Sequence, residues 1–182
     1  MPEEFIVKND LRISPRRFFK SLLADQRKLV GWFDGTITGF DPDPGAATPD
    51  SDPSYTSHQG TYTSTINAYF KSDLGYETDQ RYDILARLPW TYPQGQYVNL
   101  AGQLADAMVQ NPHLRVLVAF GYQDLATRYF GTDYTLNRIV ISAEPRKNPA
   151  VKQYFGGHMM YHYPASLKQL GDDTKAFIFA GK

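Results

Sequence analysis

Cysteine is absent from the 182 residues. That excludes disulfides, thiolate metal sites and a cysteine nucleophile, and leaves the compartment open. Excess charge of one sign is missing too, since 19 Lys and Arg balance 19 Asp and Glu. Nothing in that balance points to nucleic acid, an anionic membrane surface or a highly charged substrate. No apolar run reaches the roughly 18 residues of a membrane span. The opening stretch, Met1 to Leu11, is acidic and lacks the basic and apolar regions of a signal peptide; if the natural protein is longer, such a signal would lie upstream. No internal repeat occurs.

What is present argues for a folded chain. Hydrophobic residues make up 42% of the sequence, too many for a disordered segment. The length suits one domain, or one domain with an insertion, able to bury roughly 70% of its unfolded surface. Thirteen tyrosines suggest amphipathic surfaces or a cleft.

The first half reads as irregular and mostly helical. Ser14 followed by Pro15 is a helix start, and a helix to about Asp25 should bury Phe18, Phe19, Leu22 and Leu23 and turn Arg16, Arg17 and Lys20 to water. Leu29 to Phe33 reads as extended, stopping at the turn signal Asp34-Gly35. Residues 41–54, rich in Pro and Asp, read as a loop; their acids do not have calcium-loop spacing. A helix is expected from about Gly60 to Leu74, with Tyr62, Ile66, Tyr69 and Phe70 on one side and Gly75 ending it. Pro89, Trp90, Pro93 and Gly95 mark a linker or aromatic loop.

The second half is regular. Asn99 can cap a helix to about Gln110, with Leu100, Leu104, Ala107 and Met108 inward and Asn111-Pro112 closing it. Leu114 to Phe120 is a short apolar run of the kind buried on both faces of a sheet. Leu125 to about Arg138 reads as a helix, Val151 to Phe155 as a second short strand, and Ser166 to Phe179 as a final helix on Leu167, Leu170, Phe177 and Ile178. Helix, strand, helix, strand, helix is α/β architecture with a parallel strand pair.

In open α/β sheets, functional groups collect at the carboxyl ends of strands. Asp124 follows the first strand in Gly121-Tyr122-Gln123-Asp124, and His158 follows the second in Gly156-Gly157-His158-Met159. Parallel neighbours would carry both loops to one sheet edge. There an Asp that accepts the Nδ1 proton of His fixes the tautomer, and the other ring nitrogen can take a proton from a nucleophile. Taken singly, an Asp after a strand is more often a turn former, and a lone His more often a surface residue. His58, His113, His158 and His162 are too scattered for a metal site, and no cofactor motif occurs.

Residues 121–137, GYQDLATRYFGTDYTLN, resemble the catalytic-Asp segment of bacterial peptidases in the serine carboxypeptidase family. Residues 156–161, GGHMMY, resemble that family's catalytic-His loop, and Pro164, Ser166, Leu167 and Leu170 continue the likeness. Residues 29–39, 50–55 and 97–108 are similar to its cap insertion and to the helix leading back into the core. Departures are Arg128 where many relatives have Pro, Gly157 where Ala is frequent, and Trp32 and Gly35 where an Arg and a Ser-Arg pair are usual. The resemblance implies an α/β-hydrolase, with 1–96 as a mostly helical cap region and 97–182 as the C-terminal part of the core. It implies Asp124 and His158 as catalytic residues, Met159 beside the leaving-group pocket and a peptide as substrate. It also implies a secreted or periplasmic enzyme if a signal lies upstream.

The α/β-hydrolase triad needs a Ser in a Gly-x-Ser-x-Gly elbow, and none of the nine serines has that setting. Without a nucleophile, His158 has no hydroxyl to activate. The expectation is a hydrolase portion that removes C-terminal amino acids only when joined to a Ser-bearing half, and that otherwise associates with itself along an unpaired strand edge. A non-catalytic binding module reusing the fold is the alternative.

Overall fold

A computed structural model of the chain describes residues 1, 3–86, 88–89, 91, 95, 98–111, 113–139 and 149–180. The chain divides into two compact units, Met1–Gly31 with Ile37–Tyr92, and Trp32–Thr36 with Pro93–Lys182. The border expected at 96–97 lies outside the described residues, as do Trp90, Pro93 and Pro112 of the expected linker and helix stop.

The first unit contains α1 (Glu3–Lys8), α2 (Pro15–Ser21), β1 (Lys28–Val30), β2 (Thr38–Phe40) and α3 (Pro53–Ser72). Ser14 caps α2 as its hydroxyl accepts from the Arg17 amide. The helix stops at Ser21 rather than Asp25, and a 3-10 turn at Ala24–Gln26 leads into β1. β1 and β2 form an antiparallel pair, with Leu29 opposite Gly39. Leu29, Val30 and Phe19 are the buried apolar residues here.

Lys20 corrects the sequence reading. It does not face water but is 6% exposed. Its ammonium donates to both carboxylate oxygens of Asp41, at 2.6 and 2.7 Å, and to the Asp43 carbonyl. Asp41 lies at the start of the Pro-rich segment, where a helical-periodicity argument does not look for a counter-ion. α3 also starts earlier than expected. Asp52 accepts from the Ser54 amide and hydroxyl, and Pro53 occupies the first turn, so the last two residues of the expected loop are helical. Tyr62 and Tyr69, expected on one side of this helix, are 40% and 48% exposed.

The second unit contains α4 (Ala101–Gln110), β3 (Leu117–Gly121), α5 (Tyr129–Leu136), β4 (Ala150–Tyr154) and α6 (Pro164–Phe179). Asn99 does bond the Ala101 amide, but the buried face of α4 is Leu104, Ala105 and Met108, while Leu100 is exposed. β3 and β4 pair in parallel, from Leu117 opposite Ala150 to Gly121 opposite Tyr154, as the order of elements implied. The second unit thus combines helices with a small parallel sheet, an arrangement compatible with the α/β class.

α6 is fastened to one face of that sheet. Asp173 accepts from the Lys152 ammonium at 2.9 Å and from the Tyr154 hydroxyl at 3.0 Å. The Arg115 guanidinium lies 4.2 Å from the Phe177 ring centre. Leu167 and Ile178, two of the apolar positions of this helix, are exposed. Residues alternate across a strand, so Val151 and Phe155 belong to the opposite face from Lys152 and Tyr154, and both are exposed. Among the described residues β3 has no strand partner but β4.

Two outcomes follow from these contacts. Lys20→Ala leaves the Asp41 carboxylate buried and unpaired, and should cost about 3–5 kcal/mol in chemical denaturation. Lys20→Met with Asp41→Leu removes both charges and should recover most of that loss. In the second unit, burial first and then Asp173 push the Tyr154 hydroxyl up from 10.0 to about 12. A raised folded-state value means the folded chain holds the proton more tightly. The stability from Tyr154 is therefore complete below pH 10 and lost as the pH rises through about 12. Denaturation midpoints of the wild type and Tyr154→Phe should converge across that interval.

Candidate active site

Both loops that leave the parallel pair emerge at one edge, and they touch. The Gln123 amide donates to the Gly156 carbonyl at 2.9 Å, and the Gln123 side-chain oxygen accepts from the Gly156 amide at 2.8 Å. This brings together Asp124 and His158. The Asp124 Oδ2 and His158 Nδ1 atoms are 2.8 Å apart.

Asp124 is 5% exposed and its carboxylate is filled with donors. Oδ1 accepts from the amides of Ala126 at 2.9 Å and Thr127 at 2.8 Å. Oδ2 accepts from the Thr127 hydroxyl at 2.6 Å and faces His158. These turn bonds explain why the helix expected from Leu125 begins only at Tyr129: residues 125–128 are folded around the carboxylate. The common structural role of such an Asp and its role toward His158 are both present, on different oxygens.

His158 has an exposed ring beside a nearly covered partner, with 44% of its side chain accessible against 5% for Asp124. An ionised Asp124 can only accept, so this contact favours a proton on Nδ1, which in the neutral ring makes Nε2 the acceptor. The Thr127 hydroxyl is also 3.1 Å from Nδ1. Among the described residues no serine hydroxyl is bonded to His158. The pair alone can orient an imidazole and stabilise its cationic form; it holds no nucleophile. Met159 follows on the same turn and is half-buried. Its carbonyl accepts from the His162 amide at 2.9 Å, and it makes no hydrogen bond to Asp124 or His158. No group of three or more His, Asp or Glu is placed to hold a metal among the described residues.

The sequence reading missed the segment Trp32–Thr36. The sequence pattern there predicts a strand end and a turn, yet the segment bonds to both strand-end loops. The Phe33 carbonyl accepts from the His158 amide at 2.6 Å, and the rings of Phe33 and His158 are 5.5 Å apart. Asp34, 7% exposed, accepts at Oδ2 from the Gly157 amide and the Tyr163 hydroxyl, both at 2.9 Å. Its Oδ1 accepts from the Thr36 amide at 2.9 Å and the Thr36 hydroxyl at 2.6 Å. Burial pushes the Tyr163 hydroxyl up; the Thr36 hydroxyl works against this and Asp34 adds to it, and the phenol stays a donor. No spacing rule links residue 34 to residue 158.

Gly157 also gains an explanation. A Cβ there would lie 2.1 Å from the Phe33 carbonyl oxygen and 2.5 Å from the Asp34 Cα, both backbone atoms that cannot swing aside. An Ala at this position does not fit the chain. Gly157→Ala should cost about 1–3 kcal/mol by overpacking. The same substitution should break the Phe33–His158 backbone bond, seen as faster amide exchange at His158 than at α6. Compared with known proteins, the chain matches no family model, no curated protein and no solved structure.

Proposed function

We propose that this chain supplies the Asp and His of a serine-type carboxypeptidase of α/β-hydrolase fold, and that it acts only when joined to sequence bearing the nucleophilic Ser. The observation that carries the reading is the Asp124–His158 hydrogen bond, made by two loops that leave parallel strands at the same edge. That is the geometry by which such triads orient their base. The likeness of residues 121–137 and 156–161 to the serine carboxypeptidase family supplies the substrate class.

In the joined enzyme, the Ser hydroxyl attacks the carbonyl of the last peptide bond while His158 Nε2 takes its proton. Asp124 stabilises the imidazolium. His158 then protonates the leaving amino acid, and water repeats the cycle on the acyl-enzyme. Met159, next to the base, lines the space the leaving residue occupies. A Ser-bearing half also suits the sheet. A parallel pair is normally one part of a larger sheet covered on both faces, and here Val151 and Phe155 are exposed on one face. Partner strands and helices from the missing half, or a second copy in its absence, would cover that face.

The chain alone should release no amino acid from a peptide. Adding a chain that holds a Gly-x-Ser-x-Gly elbow and the strands before it should give release from the C-terminus, read by mass spectrometry of the shortened peptide. Asp124→Asn should then lower kcat by about 10⁴, and His158→Ala by at least as much. No gain on mixing, or activity indifferent to His158→Ala, would rule the reading out in favour of a binding module.

A further inference from the structure

Trp32–Thr36 is bonded to the chain on both sides of Asp124, and to His158 and the residue before it. Around Asp124, the Gly35 amide donates to the Gln123 carbonyl at 2.9 Å, and the Trp32 carbonyl accepts from the Leu125 amide at 3.2 Å. Around His158, the Asp34 carboxylate takes the Gly157 amide and the Phe33 carbonyl takes the amide of His158 itself. Four consecutive residues, Trp32 to Gly35, therefore hold Gln123, Leu125, Gly157 and His158 at once. Asp34 is the one side chain among these contacts and the one charge. It is fixed in its turn by Thr36 and Tyr163, whose hydroxyls are 2.7 Å from each other.

We propose that Asp34 is a positioning residue for His158: a carboxylate that touches neither the imidazole nor Asp124 but sets where the imidazole stands and which nitrogen carries its proton. The hydrogen-bond partners of the ring among the described residues are Asp124 and Thr127, and its ring contact is Phe33, the residue next to Asp34. A backbone displacement of about 1 Å at residue 157 or 158 carries Nδ1 beyond hydrogen-bond reach of Asp124. Free of that bond, the neutral ring exchanges its proton between the two nitrogens, and Nε2 is no longer reliably the acceptor.

The chemistry of the site distinguishes a carboxylate from its amide. Asp34 faces two backbone donors, the Gly157 amide on Oδ2 and the Thr36 amide on Oδ1. An Asn has one oxygen and one NH₂ group. Whichever way it is turned, one of those N–H groups meets another donor. Asp34→Asn thus keeps the shape of the side chain and loses the bond on one side.

The test reads His158 directly in the chain alone, so it does not depend on catalysis; it rests on the proposed function only for what the positioning serves. Nitrogen–proton correlation spectra of the imidazole give the tautomer, and amide exchange gives the protection of Gly157 and His158. The wild type should show the Nδ1–H tautomer. In Asp34→Ala and Asp34→Asn that form should lose its dominance, and Gly157 should exchange about tenfold faster or more, as expected for a lost bond to a charged acceptor. Tyr154→Phe, which loosens the same unit at Asp173, is the control and should leave the tautomer as it was. If Asp34→Ala does not fold, Asp34→Asn decides by the same readings. An unchanged tautomer in Asp34→Ala, or in Asp34→Asn once its Gly157 amide has lost protection, or an equal change in Tyr154→Phe, overturns the proposal. A failed complementation assay with these readings intact would instead count against the carboxypeptidase reading alone.

Discussion

β3 and β4 run in the same direction, in a register that sets Gly121 beside Tyr154, so the chain leaves both strands at one edge. A one-residue slip would reverse the facing of every side chain on the slipped strand. It would part Tyr154 and Lys152 from Asp173, and with them α6 from the sheet. The same slip would lengthen one loop relative to the other. The 2.8 Å bond between Asp124 and His158 tolerates little of that. Packing on α6 and geometry at the loops are therefore two consequences of one pairing, and neither can be adjusted without the other.

That pairing was legible because its signals are local. Leu114 to Phe120 is apolar apart from Arg115, and Val151 to Phe155 ends at two glycines, so direction and approximate limits followed from pattern and connection rules. The placement of Asp124 and His158 followed in turn. What escaped the sequence reading depends on contacts far apart along the chain. Lys20 has the look of a solvent-facing residue until Asp41 is seen beside it. Asp34 has the look of a turn former until the chain returns with Gly157, more than a hundred residues later. Helix limits failed for a nearer reason. Asp52 and Asp124 both use their carboxylates on following amides, one to start a helix early and the other to delay one. The sequence pattern alone does not tell these two uses apart.

Trp32–Thr36 and the two strand-end loops also divide the work at the candidate site between backbone and side chain. Backbone bonds fix the path of each loop. Asp34 adds a charged acceptor where a neutral carbonyl would bond less strongly, and it does so where Gly157 leaves no volume for any other anchor. The absence of a Cβ at 157 and the presence of a carboxylate at 34 are then one arrangement. Replacing either removes the reason for the other.

The three buried carboxylates among the described residues are treated in two ways. Asp41 is neutralised by the Lys20 ammonium, which takes both its oxygens. Asp34 and Asp124 are each surrounded by uncharged donors, two amides and one or two hydroxyls, with no Lys or Arg on either among the described residues. Neutral donors hold a carboxylate in place and satisfy its lone pairs without cancelling its charge. For Asp41, whose work is to close the first unit, cancellation is the stable solution. For Asp124 it would defeat the proposed role. A lysine there would hold the carboxylate as firmly, yet it would compete with the imidazolium for the same negative charge at the moment His158 takes up a proton. Amides and a threonine hydroxyl fix the position and leave the charge for the ring.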